Sequence, residues 1–244
     1  MKRFVVSMLV FLVILSGVTL AAKKPLALVR SLKTIDKPAN YPTYTKDFDV
    51  FKEWLAGFAD FDIITDTDVE KGVLKNYEAA LLPDNAVMGS DEVDAYFDFV
   101  DAGGKLFGCY STSLRTVEGK LTSYQLSDIF GVTWITWTNA KDKHNFIQIE
   151  PSHKIFKGLP KEGIANIGFS VQVSQLNQGD ALGLWFNADK VTESQPEEKN
   201  ACIIENESSI FVTFPITTPG YLNHPEFGLL LKNIIAYIAP KAIK

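Results

Sequence analysis

The chain has 244 residues, 46% of them hydrophobic and 22% charged, with 17 Phe and 4 Trp. This is the composition of a packed core and excludes a disordered or repeat chain. The net charge of −5, with Lys and Arg scattered rather than clustered, offers no basic footprint, so nucleic acid is not an expected partner.

The chain opens MKRFVVSMLVFLVILSGVTLAA, with Lys2 and Arg3 before an apolar run from Phe4 to Leu15 and the small-residue triplet Thr19-Leu20-Ala21 at its end. This is the layout of a secretory signal peptide over residues 1–22, and the apolar run is shorter than the ~20 residues of a spanning helix. The expectation is a secreted or periplasmic protein with no transmembrane helix after leader removal. Residues 23–244 are then of a length for one α/β domain.

PLALVRSL (25–32) reads as a short buried strand, followed by a Pro- and Tyr-rich loop, KPANYPTYTK. In DFDVFKEWLAGF, residues Phe51, Trp54, Leu55 and Phe58 recur at i, i+3, i+4 and i+7, one face of a helix. FDIITD (61–66) is a second strand, VEKGVLKNY a short helical or turn segment, and EAALLPD (78–84) a third strand buried on both faces. Ser90 is placed to cap a helix with Asp91 and Glu92 at its positive end, Val93, Tyr96, Phe97 and Val100 as its inner stripe, and Gly103-Gly104 as its stop before the strand KLFGCY. Alternating strands and helices of this kind predict parallel crossovers.

The second half changes character. VTWITWT, NFIQIE, IGFSVQVSQL, ALGLWFN, ACIIE and SIFVTFP are closely spaced strands that predict an antiparallel extension, with a charged loop at 187–200. PEFGLLLKNIIAYI closes the chain as a helix with Pro225 in its first turn, Phe227, Leu230, Leu231, Ile234 and Ile238 on its apolar face, and Pro240 at its stop.

The stretch YEAALLPDNAVMGSDEVDAYFDFVDAGGKLFGCYSTSLRTVEGKLTSYQLSDIFGVTW resembles the glutamine amidotransferase-like domain that microbial β-galactosidases carry as their trimerisation domain. The likeness is carried by the strand from Tyr77 to Pro83, the Ala102 to Leu106 strand, the Thr112-Ser113-Leu114 turn and the Leu126 to Val132 segment. HKIFKGLP (153–160), with Lys154 where proline is usual, and the closing strand and helix extend it. The resemblance implies a flavodoxin-like three-layer α/β sandwich with a mostly parallel central sheet. No sugar-cleaving barrel precedes these residues, so it implies the accessory fold and not glycosidase activity.

Class I glutamine amidotransferases share this fold and use a cysteine on a strand-to-helix elbow with a His-Pro-Glu run, and this chain has Cys109 at the matching strand end and His224-Pro225-Glu226 near its close. An elbow wants small residues around the nucleophile and a base within reach. Phe107 and Ser111 break that pattern, and His224-Pro225-Glu226 also makes sense as a helix start. Cys109, His224 and Glu226 are therefore the candidates for an alternative, cysteine-dependent hydrolase or amidotransferase.

Asp84, Ser111, Thr112, Ser113 and Arg115 are candidates for a polar ligand site at the carboxyl end of the sheet, against the alternative of a Ser/Thr turn satisfying its own backbone. Trp134, Trp137 and Trp185 have faces that suit sugar rings, but the odd spacing of Trp134 and Trp137 predicts opposite sides of one strand. Cys109 and Cys202 either form one disulfide or remain as buried thiols in their apolar settings. His144, His153 and His224 lack metal-ligand spacing, and neither metal nor cofactor is expected. The leading expectation is a non-catalytic domain acting in assembly, as a homo-oligomer or with a carbohydrate-active partner, or in binding a sugar-related ligand. A third reading, kinship with trehalose-utilisation proteins, requires a sugar or metal site that the residues do not reveal.

Overall fold

The computed structural model describes residues 22–37, 39–139, 144–168 and 170–244; the expected signal peptide falls almost wholly outside them. In chain order its regular elements are β1 (Lys24–Arg30), α1 (Leu32–Ile35), α2 (Tyr44–Ala56), β2 (Asp62–Thr65), α3 (Asp66–Glu70), β3 (Tyr77–Leu82), β4 (Val87–Met88) and α4 (Ser90–Asp101). Then follow β5 (Lys105–Cys109), β6 (Arg115–Thr116), α5 (Ser127–Phe130), β7 (Val132–Asn139), β8 (Phe146–Ile149), β9 (Ile164–Ala165) and β10 (Ser170–Leu176). The chain closes with β11 (Asp180–Phe186), β12 (Ala201–Asn206), β13 (Ser209–Val212), α6 (Pro219–Leu222) and α7 (Pro225–Ile238). No helix among them is long and apolar enough to cross a membrane.

Nine strands form one sheet in the order β2-β1-β3-β5-β13-β12-β11-β8-β9. From β2 to β13 every pairing is parallel, and from β13 outward every pairing is antiparallel. Strand β13 is thus the seam, parallel to β5 and antiparallel to β12. The period-2 alternation of the central strands divides the interior. Leu26, Leu28, Ala79, Leu81, Phe107 and Cys109 face one layer, with α2 and α7, while Ala27, Val29, Ala80, Leu82 and Leu106 face the other, with α4 and α5. This is the three-layer α/β sandwich, with the extension in the C-terminal half.

The local outcomes differ from expectation in three places. β7 and β10 leave the sheet and pair only with each other as an antiparallel ribbon. Ser90 is the first helical residue of α4 rather than its cap, which is Gly89. The buried face of α4 is Glu92, Tyr96 and Phe99, with Val93, Phe97 and Val100 only partly covered. The helix has turned so that Glu92 meets Lys33.

That meeting is part of a polar cluster beyond the end of β1. Lys33 Nζ lies 2.8 Å from Glu70, 3.1 Å from Glu92 and 3.6 Å from Asp66. The side chains of Asp66 and Glu92 are fully buried. Asp66 also accepts the Lys33 amide at 2.8 Å, and Ser31 caps α1 by accepting the Thr34 amide at 3.0 Å. Burial pushes the Glu92 carboxyl up to about 7 despite Lys33. Lys33 itself is held above its ordinary value, its partial desolvation outweighed by its acidic neighbours, Glu70 foremost.

Gly108 shows how tightly β5 is packed. A Cβ built there would stand 2.5 Å from Cζ of Phe130. Gly108→Ala is expected to destabilise by about 1–3 kcal/mol through overpacking. A lowered midpoint in urea denaturation with unchanged slope checks this; an unaltered midpoint refutes it.

Candidate functional site

The order β2-β1-β3-β5 creates a switch point. The connection after β1 runs to β2 on one side and that after β3 runs to β5 on the other, so the chain parts above the β1/β3 boundary. Ligands of open α/β sheets bind in such crevices, at the carboxyl ends of the strands. Here a cavity of about 260 Å³ opens at that place. Tyr41 and Tyr44 reach it from the segment after β1, Asp84 from the turn after β3, and Tyr110 and Ser111 from the turn after β5. Arg115 of β6 and Trp137 of the ribbon complete the wall.

Two of these residues hold backbone conformations that L-residues avoid. Asp84 has φ 57° and Tyr110 φ 50°, and Ser113 in the same turn has φ 65°. Such residues cost free energy and persist where surrounding bonds over-determine them, commonly at sites of function. The bonds are visible: Asp84 Oδ1 accepts the Ser111 amide at 2.9 Å, the Ser113 amide donates to the Asn85 carbonyl at 2.9 Å, and the Tyr110 amide donates to the Val212 carbonyl at 2.8 Å. Tyr44 is locked by its hydroxyl, which accepts the Ser31 amide and donates to Asn85, both at 2.8 Å.

Burial pushes the Asp84 carboxyl up to about 8, against the Ser111 amide that favours its charged form. Burial likewise pushes Tyr41 up to about 12, with Asp84 adding to the rise. The Arg115 guanidinium is fixed by donating from Nε to the Tyr41 hydroxyl at 3.1 Å and from Nη1 to the Gly119 carbonyl at 3.0 Å. The site thus offers a carboxyl raised by burial, a positioned cation and aromatic walls.

Of the candidates read from the sequence, Asp84, Ser111 and Arg115 come together in this cavity. Thr112 and Ser113 are turned inward. The Thr112 hydroxyl bonds the Leu82 and Cys109 carbonyls at 3.0 and 2.7 Å, and Ser113 Oγ accepts the Leu126 amide at 3.3 Å. Cys109 faces the α2/α7 layer, fully buried, its thiol 3.6 Å from the Thr217 hydroxyl. Burial pushes it up to about 12. The first strained residue of the β5 turn is Tyr110, one position beyond the cysteine. His224 caps α7, in ring contact with Phe227 and with Glu226 in the helix's first turn. Neither residue lines the cavity. Both cysteines are free and buried, so no disulfide joins them.

The expectation that Trp134 and Trp137 face opposite sides fails. Their rings are in edge contact, with centroids 4.8 Å apart. The reason is a bulge: Val173 pairs with Thr136 and Ser174 with Trp134, leaving Ile135 as an extra residue that resets the alternation. Trp134 Nε1 donates to Gln172 Oε1 at 2.6 Å, and Gln172 Nε2 donates to Ser111 at 3.2 Å, tying the ribbon to the cavity floor. Trp137 was one of three tryptophans whose flat faces suit sugar rings, and it is the one of them that lines the cavity. Tyr41, Tyr44 and Tyr110 were not among the binding candidates; the sequence signal for Tyr41 and Tyr44 was the Tyr-rich loop after the first strand, and Tyr110 had none.

No protein-family model matches the chain, and no curated protein does. Solved structures do. The cold-adapted β-galactosidase from Rahnella sp. R3 matches at 13% identity and a TM-score of 0.66, over 88% of this chain and 31% of that one. A β-galactosidase from Bacillus circulans sp. alkalophilus matches at 12% and 0.64, again over 88% and 31%. A ThuA-like protein from Bacteroides uniformis matches at 16% and 0.62, over 91% of this chain and 94% of that one. The likeness is one of fold. The chain spans about a third of the length of the β-galactosidases, 31% in each case, and nearly all of the ThuA-like protein.

Proposed function

We propose that the protein is an exported, non-catalytic α/β domain that binds a small carbohydrate-related ligand in the cavity at the β1/β3 switch point. The observation that carries this reading is the grouping of Asp84, Ser111 and Arg115 with the exposed face of Trp137 around one opening, on turns strained at Asp84 and Tyr110. A flat aromatic face edged by polar groups suits a pyranose, whose C–H faces pack on the ring while its hydroxyls bond at the rim. The cavity's size, about 260 Å³, is below the roughly 300–1,000 Å³ of sites for drug-sized ligands and suits a monosaccharide. The likeness to two β-galactosidases and a ThuA-like protein is consistent with a carbohydrate setting. The depth of Cys109 supports a binding role over a thiol-based reaction.

Titration with galactose, glucose and their disaccharides, followed by tryptophan fluorescence and by NMR of the tryptophan side chains, tests the reading. Binding is expected, with Trp137→Ala weakening it about tenfold, near the upper end of what one aromatic contact contributes. Assembly is a second reading, favoured by the match to only 31% of a larger enzyme. Absence of any sugar response, together with concentration-dependent self-association by light scattering, would replace binding with assembly.

A further inference from the structure

We infer that the ligand of this cavity is an anionic pyranose carrying a single acidic group, held through that group by Arg115 while its ring lies on Trp137; this rests on the carbohydrate reading above. The geometry of Arg115 is the starting point. Its Nε and Nη1 are committed to neutral acceptors, the Tyr41 hydroxyl and the Gly119 carbonyl, which set the plane of the guanidinium and leave the Nη2 hydrogens unassigned. Among the described residues no carboxylate stands within ion-pairing distance of it, Asp84 included, although both line the cavity. Contrast Lys33 nearby, which is surrounded by three acids. A half-buried guanidinium, oriented by neutral groups and without a counter-ion among the described residues, is built to receive an anion from outside.

The charge of the site limits that anion to one unit. Among the described residues Arg115 is the only cationic side chain in the wall and Asp84 the only acidic one. Burial raises the Asp84 carboxyl to about 8, which lessens its negative charge beside the anion. A phosphate monoester, with nearly two charges, would meet one guanidinium where two cations are wanted. A hexuronate or a sulfated hexose has one charge, and each presents the planar or forked oxygens that a guanidinium matches. Trp137, 38% exposed, supplies the face for the ring, and it rests on Trp134, which is itself fixed by its bond to Gln172.

The experiment is calorimetric titration of the full-length folded chain at pH 7 and low salt with galactose, galacturonate and galactose 6-sulfate. Galacturonate or the sulfate is expected to bind at least tenfold more tightly than galactose, and which of them leads identifies the acidic group. Arg115→Gln is expected to erase that preference, and Arg115→Lys to keep part of it, which separates loss of charge from loss of fold. Equal affinity for galactose and both anionic sugars, or binding of galactose alone, overturns the inference and leaves the carbohydrate reading standing. Failure of all three sugars overturns the carbohydrate reading and this inference with it.

Discussion

Lys33→Met is expected to lower the unfolding free energy by roughly 3–5 kcal/mol, the cost of removing one partner from a buried ion pair and leaving its mates uncompensated. Asp66 and Glu92 have no solvent to turn to, since their side chains are fully buried, and Glu70 is only partly exposed. The loss has a pH signature whose sign follows from Glu92. Its carboxyl is raised from 4.5 to about 7 in the folded protein. Between those values the folded state binds a proton that the unfolded state has released, so this group's contribution to stability declines as pH rises through that window. Removing Lys33 takes away the attraction that now favours the ionised form, pushing Glu92 higher and carrying the decline further. The deficit of the variant is therefore larger at pH 8 than at pH 5, where a protonated Glu92 relieves the repulsion. Urea denaturation of both proteins at the two pH values measures it. A loss under 1 kcal/mol, or one larger at pH 5, would show that the cluster is solvated and that Lys33 is incidental.

Cys109 in the folded protein, with Cys202→Ser as background, is expected to react with iodoacetamide at neutral pH about a thousandfold more slowly than an unperturbed thiol. The thiolate is the reactive form. Burial raises the thiol from 9.0 to about 12, and each unit is tenfold in thiolate at pH well below both. Enclosure beneath α2 and α7 adds an opening step to that factor. Labelling should rise steeply in denaturant. Fast labelling at pH 7 that slows in His224→Ala would instead restore the cysteine-dependent enzyme, because that dependence would mark the imidazole as what activates the thiol.

Much of the fold was legible because local pattern and tertiary outcome agree. The apolar positions of α7 recur at helical spacing, Pro225 suits its first turn, and all five residues of the expected face, Phe227, Leu230, Leu231, Ile234 and Ile238, are buried. α4 was legible as a helix but not in its rotation. Aromatic and aliphatic residues occur around more than one side, and the choice among them was made by Glu92 reaching Lys33 across 59 residues. In the β7 ribbon the period-2 rule was overridden by one bulged residue, Ile135, which depends on how β10 registers against it.

The site divides in the same way. Asp84, Ser111 and Arg115 were accessible to reasoning because they follow two strands whose carboxyl ends a parallel sheet must place side by side. Tyr41, Tyr44 and Trp137 come from a loop, the helix start that follows it and a ribbon, whose docking no local period encodes. By itself the sequence determined the main strands and helices, their apolar faces and hence the parallel crossovers, since these follow from the periodicity of burial along each segment, while the three-layer sandwich was what the family resemblance implied. Only the tertiary structure decided that Cys109 points into the core and Tyr110 takes a strained conformation, that Arg115 is held without a counter-ion among the described residues, and that Trp137 faces the cavity. Those outcomes depend on side-chain direction at strand ends, on bulge register and on charge pairing between distant segments, which form only when the layers pack.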